Sequence, residues 1–197
     1  MNSPEVIYFE GLPCSGKTTL TRQLSVEYPR DVHSIPEYIH PVLLKEGGSD
    51  DQKIFMENDE LKYYTARQSS LQCLVDRGHL STILYTHAYN EIRADRDLKF
   101  VDDWYFGTII KNSMLPDRYV LFDIPAEISL KRRKALLNAD NMWDHVEALQ
   151  FARKQYPRYM GEFESHIPVL TLNSDSMNIA ELKTELIKFL GFTVKSP

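Results

Sequence analysis

The sequence predicts an α/β fold, a parallel sheet of short strands covered by helices on both faces, and three observations carry the prediction. Apolar, strand-like runs recur at 5–10, 32–36, 72–76, 118–123 and 168–172, and helical periodicity fills the intervals between them. The first run, Val6 to Phe9, leads into Gly11-x-x-x-x-Gly16-Lys17-Thr18, and a helical pattern with Leu20 and Leu24 one turn apart follows. No repeat, low-complexity tract or linker-like shift interrupts the 197 residues, so they are read as one domain over residues 1–197.

Strand, glycine loop and helix make Gly11–Thr18 a phosphate-binding loop. Its glycines let backbone N–H groups point around an anion, and the helix N-terminus adds the positive end of its dipole. The loop residues Gly11, Leu12, Pro13, Cys14, Ser15, Gly16, Lys17, Thr18 and Thr19 are the candidate ATP site. Lys17 is expected on the β- and γ-phosphates, and the Thr18 hydroxyl on Mg²⁺.

In a parallel sheet the ligand lies beyond the carboxyl ends of the strands, so the residues there are the next candidates. After the second strand stand Glu37 and Tyr38; a carboxylate at that edge can take a proton from an acceptor hydroxyl. Residues 50–70 predict a long helix with Phe55, Leu61, Tyr64 and Leu71 on its apolar stripe and Arg67 near its end. The third strand ends in Asp76-Arg77, an acid suited to Mg²⁺ or its water beside a cation suited to a transferring phosphoryl group.

Helix 79–93 buries Leu80, Ile83, Leu84 and Ala88, and its Tyr85 and Tyr89 suit either core packing or a stacking platform. A structural helix is expected over 98–112. Asp123 ends the fourth strand, but Ile124 and Pro125 stand where a hydrolase would carry its glutamate. Lys131, Arg132, Arg133 and Lys134 then form a charge run, either a solvated helix face or lid cations, before a polar break at 138–142 that suits a hinge. Residues 144–164, the fifth strand and a helix over 178–190 closed by Gly191 complete the scaffold.

Composition narrows the function. A net charge of −5 and a pI near 5.7 argue against a nucleic-acid footprint, and no apolar run approaches a membrane span. Two cysteines, Cys14 and Cys73, make no disulfide framework or metal spacing. Met1–Glu5 leads straight into the first strand, so a cytoplasmic protein without a signal peptide is expected.

These residues together resemble the thymidylate kinase and deoxynucleoside kinase branch of the P-loop kinases. The resemblance is carried by Phe9-Glu10-Gly11 through Thr18, Glu37, Tyr64-Thr65-Ala66-Arg67, and Asp76-Arg77-x-x-Leu80-Ser81-Thr82-x-x-Tyr85. Asp123-Ile-Pro-Ala-Glu127 with Arg132 five residues on extends it over residues 5–135. It implies a three-layer P-loop NTPase fold, strand order 2-3-1-4-5, a lid near 131–160, ATP and Mg²⁺. It also implies an acceptor pocket lined by Glu37, Arg67, Arg77 and Tyr85, with Arg132 opening the lid. Where such thymidylate kinases place Pro-Gly-Gly after the glutamate, this chain has Tyr38-Ile39-His40, and the acceptor's identity stays open.

The expected activity is an ATP- and Mg²⁺-dependent kinase acting on a nucleoside or nucleoside monophosphate. Lys17, Glu37, Asp76, Arg77 and Arg132 are its catalytic candidates, and Thr18 and Asp76 its metal ligands. The alternatives are phosphotransfer to another small alcohol, such as an antibiotic or sugar-like metabolite, a nucleotide-hydrolysing switch, and a nucleotide-binding regulator without turnover. The partners expected are ATP and a small-molecule acceptor, with neither nucleic acid nor membrane, and a homodimer is left open.

Overall fold

The structure is a computed structural model and describes residues 4–38, 40–44, 51–94, 96–134 and 142–192. The hinge expected at 138–142 falls almost wholly outside them. Strand β1 (Val6–Gly11) is buried along its whole length because it is the central strand, flanked on both sides. It pairs in parallel with β3 (Gln72–Asp76) and with β4 (Arg118–Asp123). Outside these lie β2 (Val32–Ile35) on β3 and β5 (Val169–Asn173) on β4, which gives the order 2-3-1-4-5.

The two-residue period of a strand explains the layers. Ile7, Phe9, Leu74, Val120 and Phe122 face one side, where Leu20 and Leu24 of α1 (Lys17–Glu27) and Leu182, Leu186 and Leu190 of α8 (Ile179–Leu190) close the core. Val6, Tyr8, Cys73, Val75 and Tyr119 face the other. That side is covered by α3 (Asp51–Arg67), α4 (His79–Arg93), α5 (Leu98–Trp104) and α7 (Val146–Glu162), while α2 (Pro41–Leu44) is a single turn after β2. Helix α6 (Ala126–Lys134) carries the basic run.

Two details depart from a plain reading of periodicity. The helix expected over 98–112 starts at Asp97, whose side chain caps Phe100 N–H, but widens into a π-helix over Tyr105–Ile110. Gly78, between β3 and α4, has no room for a side chain: a Cβ there would lie 2.3 Å from the Tyr8 ring. The glycine lets the end of β3 drop onto β1, which brings Arg77 to the phosphate loop.

Candidate active site

Beyond the carboxyl ends of β1, β2 and β3 lie two adjoining cavities. The first, about 580 Å³, is walled by Pro13 to Thr19 of the glycine loop and by Arg132 and Arg133 of α6. The second, about 310 Å³, lies between α3 and α4 and is lined by Phe55, Asp59, Lys62, Tyr85 and Trp143 among others. Glu37, Arg77 and Trp143 line both. The boundary is thus formed by the two charged residues that the sequence placed after β2 and β3.

The loop conformation depends on its residues. Gly11 has φ +128°, and a Cβ on it would meet the Phe122 carbonyl oxygen at 2.4 Å; Gly16 caps α1 at φ +104°. Lys17 folds back onto the loop and donates to the Gly11 and Leu12 carbonyls at 3.0 and 2.8 Å and to the Ser15 hydroxyl at 3.1 Å. Burial and the neighbouring Arg77 push its ammonium down to about 8 against the pull of Asp76, Glu37 and Glu10.

Thr18 Oγ1 donates to Asp76 Oδ2 at 2.5 Å. Asp76 is fully buried, and its Oδ1 has no partner among the described residues. An orphaned carboxylate oxygen beside a hydroxyl fits a hydrated divalent cation, because Mg²⁺ keeps several waters and takes few protein ligands. No cluster of three or more His, Cys, Asp or Glu gathers among the described residues to bind a metal in another way.

Arg77 has φ +62°, in the left-handed region that residues with a side chain seldom adopt. Its Nη1 donates to the Gly11 carbonyl at 3.0 Å and to Ser81 Oγ at 3.2 Å, and its Nε lies 2.6 Å from Glu37 Oε1. Burial opposes the guanidinium charge, but the surrounding acids, Glu37 first, outweigh it and raise its pKa. Burial likewise opposes the charge of Glu37, and Arg77 and Lys17 outweigh it, holding the carboxyl below the ordinary glutamate range. Glu37 is therefore ionised at neutral pH.

Tyr38 and Tyr85 both line the second cavity. Tyr85 belongs to an aromatic wall, its ring centroid 6.0 Å from Phe55 and 5.5 Å from Trp143. Arg132 lies over the loop and donates to the Cys14 carbonyl at 3.5 Å and the Ser174 carbonyl at 3.1 Å.

Arg67 is not brought to this site. It sits at the opposite end of the sheet, with Nη1 on Asp117 Oδ2 at 2.7 Å and Nη2 on the Leu115 carbonyl at 2.8 Å. Asp117 in turn accepts from Val6 N–H at 2.7 Å, so this arginine ties α3 to the start of β1 and β4. Asp123 is also committed elsewhere, held by Arg153 through two hydrogen bonds of 2.6 and 2.8 Å.

Several buried groups of the site received no role from the sequence. Lys62 donates to the carbonyls of Asp76 and Arg77 at 3.2 and 2.6 Å and faces Asp59 at 3.6 Å, fixing the turn that carries Arg77. Glu10 accepts from Gly78 N–H at 2.9 Å and from the Ser81 hydroxyl, which also meets Tyr156 OH of α7 at 3.0 Å. The available signal was an acid and a base three apart on the buried face of α3, and a glutamate inside an otherwise apolar strand.

A glycine loop between a central strand and a helix, with a Thr–Asp pair at its base, defines a P-loop nucleotide-binding protein. Residues 6–134 match the AAA domain family, and the chain belongs to that family. No curated protein matches the sequence. Among solved structures the chain is similar to the deoxyadenosine kinase of M. mycoides with bound dATP, at 14% identity and a TM-score of 0.71 over 94% of this chain and 98% of that one. The thymidylate kinase of Candida albicans is similar at 16% identity and a TM-score of 0.68, over 96% of this chain and 92% of that one. At these identities the likeness shows a shared fold. Among the described residues no helix is long and apolar enough to cross a membrane.

Proposed function

We propose that the protein is an ATP- and Mg²⁺-dependent kinase that transfers a γ-phosphoryl group to the hydroxyl of a nucleoside. The observation that carries this reading is the Glu37–Arg77 pair at the boundary between a phosphate-loop cavity and a second cavity with an aromatic wall. The second cavity has the size and lining of a small-molecule site. The names of the two structural neighbours, a deoxyadenosine kinase and a thymidylate kinase, agree with it.

In this reading Glu37 accepts the proton of the acceptor hydroxyl as its oxygen bonds to the γ-phosphorus. The bond from that phosphorus to the β–γ bridging oxygen breaks, and ADP leaves. Lys17 and Arg77 neutralise the charge spread over the transferring group, and Arg132 covers the loop from the α6 side. Thr18 and Asp76 would hold Mg²⁺, which when bound offsets charge on the β- and γ-oxygens. A hydroxyl acceptor is favoured over a nucleoside monophosphate because, where the two cavities meet, Arg77 is already paired with Glu37 and Lys62 is spent on main-chain carbonyls, while Arg96 lines only the second cavity and not the phosphate-loop one. The bidentate hold of Arg153 on Asp123 counts against a hydrolase.

The test is ADP release from ATP·Mg²⁺ across nucleosides, nucleoside monophosphates and unrelated small alcohols, with Lys17→Ala as control. Turnover with a nucleoside that vanishes in the control is the expected result. Rapid ATP consumption without any acceptor, or binding of ATP with no acceptor consumed, overturns the proposal.

A further inference from the structure

The cavity between α3 and α4 has most of its hydrogen-bonding capacity already spent inside the protein. Asn58 accepts from His40 N–H at 2.9 Å and donates to the Tyr38 carbonyl at 3.1 Å. Thr82 donates to Asp59 at 2.6 Å, and Thr86 donates to the Thr82 carbonyl at 3.2 Å. Lys62 is held by two carbonyls, and Gln52 donates to the Asp97 carbonyl at 3.1 Å. Arg96 is different. It lines the same cavity, half-buried, and its side chain makes no hydrogen bond or ion pair with any described residue. Its guanidinium carbon instead lies 4.2 Å from the centroid of the Tyr89 ring.

A guanidinium over a ring face spends its π-surface on the ring and keeps its N–H donors for another partner. Tyr89 is itself 6.3 Å from Tyr85, so the arginine stands at one end of the aromatic wall built by Phe55, Tyr85 and Trp143. A flat ring against that wall would present an edge to a donor-only fork. Such a fork pairs with two adjacent acceptors and repels an amino group. In a purine the matching edge is O6 with N7, whereas a 6-amino group places a donor against the arginine.

We infer that Arg96 reads the base of the acceptor and selects a 6-oxopurine nucleoside over its 6-amino counterpart. This inference rests on the nucleoside reading of the cavity but not on phosphoryl transfer, so the two are separable by measuring binding without ATP.

The experiment is calorimetric titration of the protein with inosine, guanosine, adenosine and uridine, repeated on Arg96→Met and Arg96→Lys. Inosine and adenosine are the decisive pair, because they differ only at the C6 position and its ring nitrogen neighbour. The unaltered protein should bind inosine and guanosine at least about tenfold more tightly than adenosine. Arg96→Met, which keeps the apolar stem, should bring the inosine-to-adenosine ratio to within about twofold of one. Arg96→Lys should lose most of the ratio as well, since a point charge lacks the fork.

Tighter binding of adenosine or uridine overturns the inference, as does an equal weakening of all four by Arg96→Met or no measurable binding of either oxopurine. Arg96-dependent inosine binding with no ADP formed on adding ATP·Mg²⁺ would sink the kinase reading and leave the inference standing. Phosphorylation that ignores the C6 substituent would do the reverse.

Discussion

The Thr18 hydroxyl donates to Asp76 Oδ2 at 2.5 Å, and Asp76 Oδ1, buried beside it, has no partner among the described residues. The contact joins the start of α1 to the end of β3, so the glycine loop and the neighbouring strand share one polar corner. A buried carboxylate oxygen without a donor is costly unless something charged meets it during function. Asp76→Asn should therefore weaken the Mg²⁺ dependence of ATP turnover by about 10–100-fold in half-saturating concentration. A Mg²⁺ titration unchanged by the substitution would show that Asp76 serves only to orient Thr18.

Glu37 is the acid whose ionisation the site actively maintains, through Arg77 and Lys17. With a nucleoside acceptor, Glu37→Gln should lower kcat by about 10²–10⁴-fold while leaving the KM for ATP within about twofold. With a nucleoside monophosphate, whose attacking oxygen is already anionic, the loss should stay under about tenfold. Steady-state rates on both acceptor types separate the two, and a small loss on nucleosides removes Glu37 from the role of base.

The burial of Lys17 predicts a proton linkage to nucleotide binding. Its ammonium is held down to about 8 in the free protein. Phosphates favour the charged form, so the complex holds the proton to higher pH and binding takes a proton up near pH 8 and above. ATP affinity should be level below that value and fall as pH rises through it. Calorimetry at about pH 8.5 in buffers of different ionisation enthalpy measures the uptake, and Lys17→Ala should abolish it.

Sequence reading reached the glycine loop and the Thr18–Asp76 corner because their signals are local. A glycine loop, the lysine and threonine after it, and the acid that ends a strand are fixed by short-range geometry. The strand order followed from the family resemblance, and the buried strand at Val6–Phe9 from its unbroken apolar run. Arg67 shows where local reasoning stops. An arginine in the last turn of a helix next to β3 points to whichever end of the sheet that helix reaches, and α3 ends at the amino edges of the strands. Lys62, five residues earlier, reaches the carboxyl edge instead. Likewise the role of Glu10 exists only because β1 and the β3–α4 turn come together at Gly78.

Arg67→Ala should consequently behave as a structural lesion. The residue is part-exposed, so the loss from its Asp117 pair and Leu115 hydrogen bond is on the order of 1 kcal/mol. Thermal unfolding should shift downward while kcat/KM for the best acceptor changes by less than about twofold. A fall in kcat/KM at unchanged stability would return Arg67 to the acceptor site.

Glu10 supplies a stability signature of opposite sign to the usual carboxylate. Burial pushes it up to about 7, although Ser81, His79, Arg77 and the Gly78 N–H all pull the other way. The unfolded chain releases this proton near the ordinary glutamate value of 4.5, so between there and about 7 the native state binds more protons. Its contribution to stability is thus present below that window and falls as pH rises through it. The full cost of the ionised form is on the order of 3 kcal/mol. Glu10→Gln removes the titration and keeps an oxygen to accept from Gly78 N–H. Chemical unfolding of both proteins at pH 5, 6, 7 and 8 should show the wild type losing ground steadily against the variant up to about pH 7 and no further beyond it. A stability difference that stays constant across those four values would mean that Glu10 ionises at its ordinary pKa, with the network of Ser81, Gly78 and Arg77 offsetting its burial.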